Sequence, residues 1–320
     1  MSNKHNNEAS TTRRSFLIKG SMASAALLMG NRSSLFALQQ KPNSKFAGVQ
    51  VGVITYSFRS MPGNIDQVLQ YIVDCGISAV ELMGDAVEAY AGKPVNTEKS
   101  ASDAYKKQVA DWRATVPMTK FEEVRKMFDK AGVSIYAFKP DALGSGNTDA
   151  EIEYALKVAK VLGAKSATVE LPKDPEHSKR LGALALKHKV YIGYHAHTQA
   201  TDTAWDTALA QSPYNSMNLD CGHYIAAGGN NTKETLLALI QAKHDRITSM
   251  HLKDRKSKDN GGENMPWGEG NTPIKEILQL LKEKKYAIPV SIELEYDIPA
   301  GSDAVKETTK CLEFAKKALV

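Results

Sequence analysis

The 320-residue chain can bury a large core within one domain, and its 42% hydrophobic and 24% charged residues match ordinary globular usage, which excludes a disordered or fibrous protein. The formal charge of +5 suggests an acidic partner only until it is placed: Lys4, Arg13, Arg14, Lys19 and Arg32 against Glu8 put +4 into the first 40 residues. A net +1 remains for the rest, too little for a nucleic-acid footprint, and three scattered cysteines (Cys75, Cys221, Cys311) exclude a disulfide framework or a zinc-finger spacing.

Residues 11–40, TTRRSFLIKGSMASAALLMGNRSSLFALQQ, place a paired arginine before Phe16 and Leu17 and an Ala-rich apolar stretch. This resembles a twin-arginine export signal, which implies passage of the folded protein to the periplasm, with cleavage near 38–41 or retention as an anchor. Residues 1–40 are therefore expected to be a signal segment and 41–320 a single domain. No later apolar run reaches membrane-spanning length, so no stable membrane insertion is expected of the mature chain.

From residue 49 onward, short β-rich runs alternate with amphipathic stretches. VQVGVITYSF (49–58) precedes NIDQVLQYIVDCG (64–76), where Ile65, Val68, Leu69 and Ile72 recur at helical spacing and Gly76 is a stop. SAVELMG (78–84) is followed by a long segment, 85–118, then the helix TKFEEVRKMFDKAG (119–132) and the strand VSIYAFKP (133–140). The helix DAEIEYALKVAKVLGA (149–164) leads to the strands KSATVELP (165–172), VYIGYHAHT (190–198) and NSMNLDCGH (215–223). The helix TKETLLALIQAKHDR (232–246), the strand ITSMHLKD (247–254), a glycine-rich loop (255–272), the helix TPIKEILQLLKEKK (272–285) and the strand PVSIELEY (289–296) complete the series.

Eight strand–helix units within 49–320 predict an α/β fold, a (β/α)8 TIM barrel. A doubly wound open sheet would carry a glycine-rich phosphate turn after its first strand, and TYSFRSMPGN is not one. The two long segments, 85–118 and 255–272, leave C-terminal strand ends, the face on which such barrels carry active sites, and are expected to cover substrate; the first is otherwise a surface insertion with one helix.

Side chains alternate along a strand, so His195 and His197 share a face on strand five, Ser249, His251 and Lys253 on strand seven, and Ser291, Glu293 and Glu295 on strand eight. Strand six ends in Asp220, with His223 just beyond. Four successive strands thus finish in His, Asp, His and Glu, and burying these ionisable groups together is costly unless they pair or hold a cation. Imidazole nitrogens with carboxylate oxygens suit one divalent ion such as Mn²⁺, Zn²⁺, Fe²⁺ or Co²⁺, with Mg²⁺ also in reach, better than Ca²⁺.

MNLDCGH, SMHLKD, PWGEGNTPIKEIL and VSIELEY resemble the strand-six, strand-seven, loop and strand-eight elements of the xylose isomerase-like barrel family, which includes sugar isomerases and epimerases. The resemblance spans about residues 49–320 and implies that Asp220, His251 and Glu293 bind metal. Where the family usually has a strand-five glutamate, this chain has His195, so the family's two-glutamate acid/base scheme does not transfer intact. Parity does not separate His195 from His197; His195 is taken as the ligand and His197 as a proton-transfer residue.

The expected chemistry is isomerisation or epimerisation of an unphosphorylated keto sugar or polyol ketone through an enediolate, with Glu293 as ligand and base and Lys253 polarising an oxygen. His197, His223, Glu170 or Lys253 would supply the second proton transfer. Tyr56, Glu81, His223, Trp267 and Glu295 are candidate substrate contacts. Rivals are a 3-keto-glycoside lyase or hydrolase acting by elimination after removal of the C2 proton, and a non-catalytic sugar- or metal-binding barrel. Members of the resembled family often form dimers or tetramers, and no nucleic-acid partner is expected.

Overall fold

The computed structural model describes residues 41–96 and 102–320; the expected export signal, with Arg13 and Arg14, lies outside the described residues. Eight parallel strands form the barrel: β1 (Val49–Ile54), β2 (Ala79–Met83), β3 (Ser134–Lys139), β4 (Ser166–Glu170), β5 (Tyr191–His195), β6 (Asn215–Asp220), β7 (Ile247–Leu252) and β8 (Val290–Ile292). Each pairs with the next in chain order, and β8 pairs back to β1. The protein is a closed (β/α)8 TIM barrel, as the alternating pattern predicts. Helices lie between the strands; among the described residues none is long and apolar enough to cross a membrane.

Local chemistry sets the helix boundaries. Asn64 and Gln67 form a reciprocal capping box at the start of Ile65–Asp74, as Thr148 and Glu151 do for Asp149–Leu162. Gly132 and Gly163 stop their helices at φ of 80° and 83°, a backbone region that glycine enters without steric cost.

Several strands are shorter than their apolar runs. The run 49–58 leaves the sheet at Ile54 and finishes as a 3-10 turn, Thr55–Phe58, because the Ser57 hydroxyl donates to Ile292 O and accepts from Leu294 N of β8's continuation. His197 likewise falls beyond the end of β5, and His223 sits in the first turn of the helix Cys221–Ala227, whose N-cap is the Asp220 carboxylate. Among its described residues, the 85–118 segment holds two helices rather than one, Gly84–Tyr90 and Asp103–Thr115.

After β7, the glycine-rich loop folds around one buried side chain that the sequence did not single out. The Asp254 carboxylate accepts from the backbone N–H groups of Gly268 (2.8 Å), Gly270 (2.9 Å) and Thr272 (3.1 Å). A Cβ on residue 270 would overlap Asp254 Oδ1, so the motif's second glycine is there to let backbone reach carboxylate. Gly270→Ala is expected to cost about 1–3 kcal/mol in denaturant unfolding, the usual penalty of forcing atoms into filled space. An unchanged midpoint would show that the loop is not seated on Asp254.

Candidate metal centre

The barrel interior is polar near its C-terminal end, and Glu81 is its hub. Its side chain, fully buried on β2, accepts from Thr168 Oγ1 on β4 (2.7 Å), from Asn218 Nδ2 on β6 (3.0 Å to each oxygen) and from His251 Nε2 on β7 (2.9 Å). Ser291 Oγ on β8 lies 3.4 Å from the same carboxylate. Glu81, expected as a substrate contact, is the third of five residues in its strand, and its carboxylate is committed to Thr168, Asn218 and His251. Burial pushes its carboxyl up, but the charge and hydrogen bond of His251 outweigh that and hold it below the usual range.

His195, Asp220 and His251 are all buried, and their nearest ligand-type atoms lie within 4.8 Å of one another. Asp220 Oδ2 is 3.8 Å from both His195 Nε2 and His251 Nδ1. Atoms each about 2.1 Å from one ion would stand roughly 3–4 Å apart, so the spacing fits a single metal. Glu293 Oε2 adds a fourth oxygen, 3.0 Å from His251 Nδ1.

The surroundings prepare these atoms. Asp220 Oδ1 accepts from the His223 N–H, whereas the buried Oδ2 accepts no hydrogen bond and has the Lys253 ammonium 3.0 Å away. A carboxylate oxygen at such depth needs a cation beside it, the place that Lys253 takes and that a metal ion would share. Glu81 accepts from Nε2 of His251, the carboxylate–histidine pairing that orients a ligand, while Nδ1, facing Asp220, donates to Glu293 Oε2 at 3.0 Å and must lose that proton to bind an ion. Asn218 Oδ1, 3.5 Å from His195 Nδ1, leaves Nε2 of that ring toward Asp220.

Electrostatics separate the two histidines. Burial, then the nearby charges of His251 and Lys139, keep His195 far below its ordinary pKa and therefore neutral, as a ligand must be. Burial opposes charge on His251, but Glu293 and Glu81 lift it to about 10, so this ring must give up a proton before it can serve as a ligand. Burial, offset in part by Lys253, pushes Asp220 up to about 6, while the charges of His251 and Lys253 overcome burial at Glu293 and depress it.

A second trio, His195, His197 and His223, is as close-set, but it suits a cation less well. His195 has one free nitrogen to give, and both ring nitrogens of His223 already face cations, Lys253 Nζ and Arg255 Nη1. Burial and those charges drive the His223 pKa down to about 2.

The remaining predicted residues line the mouth or leave it. His197, half-exposed, puts Nε2 3.1 Å from Glu170 Oε2, and Lys139 Nζ holds the other Glu170 oxygen at 2.9 Å. Its hydrogen bond to Glu170 raises the His197 pKa, and its ring stacks on His223 at 4.5 Å. Lys253 bridges Glu293 and Glu295. Tyr56 lies on the rim beneath the Arg59 guanidinium. With its loop pinned to Asp254, Trp267 packs edge-on against Phe314 of the last helix, Ala304–Leu319.

Asn218, Lys139 and Asp254 escaped the sequence reading. Parity with Asp220 could have found Asn218, two residues earlier on the same strand.

Glu81→Gln is expected to weaken metal binding about 10- to 100-fold, the usual cost of losing an orienting partner, measured by equilibrium dialysis. Unchanged affinity would show that His251 needs no carboxylate behind it.

A family model described as xylose isomerase-like TIM barrel matches residues 69–315. Among solved structures, the chain is similar to the IolI protein with a binding zinc atom (16% identity, TM-score 0.62, covering 85% of this chain and 99% of that one). It is also similar to a sugar phosphate isomerase/epimerase from Parabacteroides distasonis (19%, 0.53, 87% and 98%) and to the probable 3-DHS dehydratase AsbF from Bacillus anthracis (16%, 0.59, 83% and 98%). At these identities the likenesses establish the fold alone. No curated protein matches the sequence.

Proposed function

The chain belongs to the xylose isomerase-like TIM barrel family, and from that premise we propose that it is a divalent-metal-dependent isomerase or epimerase of an unphosphorylated keto sugar or related polyol ketone. The observation that carries the reading is the meeting of His195, Asp220, His251 and Glu293 at the ends of β5 to β8, with Asp220 Oδ2 accepting no hydrogen bond among them. A divalent ion held there would polarise a carbonyl and offset the negative charge that develops on its oxygen.

The protein's own groups do the rest. Glu293, kept ionised by His251 and Lys253, takes the proton beside the carbonyl. Glu170 ends β4, four strands round the ring from β8, so the Glu170–His197 pair faces Glu293 across the mouth. His197, its pKa raised by that carboxylate, carries a proton to deliver on the opposite side. This pair fills the role left open by the histidine at position 195.

The same pair supports a second reading, a 3-keto-glycoside lyase or hydrolase in which His197 protonates the departing glycosidic oxygen. Proton NMR in D₂O tests both, with Mg²⁺ or Zn²⁺ supplied and a panel of ketoses, aldoses and 3-keto-glucosides. Deuterium beside a carbonyl with an accumulating isomer supports the first, and aglycone release the second. No exchange with any pair of metal and sugar would sink both in favour of a binding barrel. Export to the periplasm in folded form is likewise proposed, supported by Arg13 and Arg14 in the leader.

A further inference from the structure

We propose that Lys253 is an internal counter-cation that competes with the metal for Asp220 and Glu293, and that Glu295 receives its ammonium group when the ion binds. The inference rests on the ligand assignment above. Lys253 is 2% exposed, and its Nζ lies 3.0 Å from Asp220 Oδ2, 2.8 Å from Glu293 Oε2 and 2.7 Å from Glu295 Oε2. The first two oxygens are those offered to the ion.

An ammonium and a divalent ion sharing two carboxylate oxygens repel strongly in a buried site, so full occupancy requires the ammonium to withdraw. Glu295 offers it a destination. That carboxylate is outside the close-set ligand groups, is partly exposed and already makes the shortest of the three contacts. Withdrawal toward Glu295 needs a change in the end of the side chain alone, because the stem is confined: a Cβ on residue 222 would overlap Lys253 Cγ and O, so Gly222 is what lets the stem pass under the helix Cys221–Ala227.

Lys253 therefore sets how tightly the site holds metal, by neutralising the two carboxylates and being displaced from them. The test is equilibrium dialysis of Mn²⁺ and Zn²⁺, with bound metal counted by atomic spectrometry, on the wild type, Lys253→Met, Glu295→Gln and the double variant. Lys253→Met should bind about 10- to 100-fold tighter and Glu295→Gln weaker by a similar factor, the range in which supporting groups tune metal sites. Because Glu295 acts through Lys253, its substitution should change nothing in the Lys253→Met background.

Equal or weaker binding by Lys253→Met overturns the proposal, as does an equal loss from Glu295→Gln in both backgrounds, which would mark Glu295 as a mere source of negative charge. A wild type that takes up no metal overturns the ligand assignment as well; a wild type that binds while Lys253→Met is unchanged overturns this proposal alone. Lys253→Gln, which keeps a hydrogen-bonding end, replaces the methionine variant if that one fails to fold.

Discussion

Asp220→Ala should lose metal and turnover together. Its Oδ2 is the atom common to the short list of separations in the cluster, 3.8 Å from each of two histidine nitrogens and 3.0 Å from Lys253 Nζ. Removing it deletes a ligand outright, so binding should weaken by more than the roughly 10- to 100-fold that losing an orienting partner costs. Metal analysis after dialysis reads the effect, and thermal unfolding beside it checks the fold. The fold should survive, because Lys253 keeps Glu293 and Glu295 as partners. The loss is mainly the N-cap bond to the His223 N–H, worth about 0.5–2 kcal/mol. Full metal occupancy in the variant would remove Asp220 from the ligand set.

Glu293→Gln, measured with metal in excess, should lower kcat about 10²- to 10⁴-fold, the usual contribution of a positioned acid or base. The amide preserves shape and can still accept from His251 or Lys253 through its oxygen, but it cannot take a proton. Solvent deuterium exchange beside the carbonyl should disappear with it. His197→Ala should separate from this variant: exchange driven by Glu293 persists, while inversion or release of a leaving group, which needs a proton from the other side, falls. Equal loss of exchange in both variants would show that the two groups act at one step, and an unimpaired Glu293→Gln would place the base elsewhere.

Both predictions depend on groups that were legible in unequal degree. His195, Asp220, His251 and Glu293 could be read along the chain because each lies at or within one residue of the C-terminal end of a strand, and strand ends in a parallel barrel share one rim. The choice between His195 and His197 could not, because alternation gives them one face. The structure separates them by depth: β5 stops at His195, which is buried, while His197 lies past the strand and is 54% exposed. Glu81 shows the converse failure. It was visible as an acid on a strand, but its partners stand 87, 137 and 170 residues away, and no local pattern could show whether it faced substrate or the ring beneath.

Trp267 and Asp254 divide in the same way. A tryptophan in a glycine-rich loop at the catalytic face reads as a sugar platform, yet three backbone N–H groups close on Asp254 and the indole goes to Phe314. Strand and helix alternation, the count of eight units and the His, Asp, His, Glu order were set by short-range regularities: side-chain period, capping residues and glycine stops. Those regularities are properties of neighbouring residues and survive without a fold. Which histidine lies deep and which carboxylates the buried ammonium stands against follow from closing the barrel, because closure brings side chains from distant strands to within about 3 Å, where charge and desolvation decide what each can do.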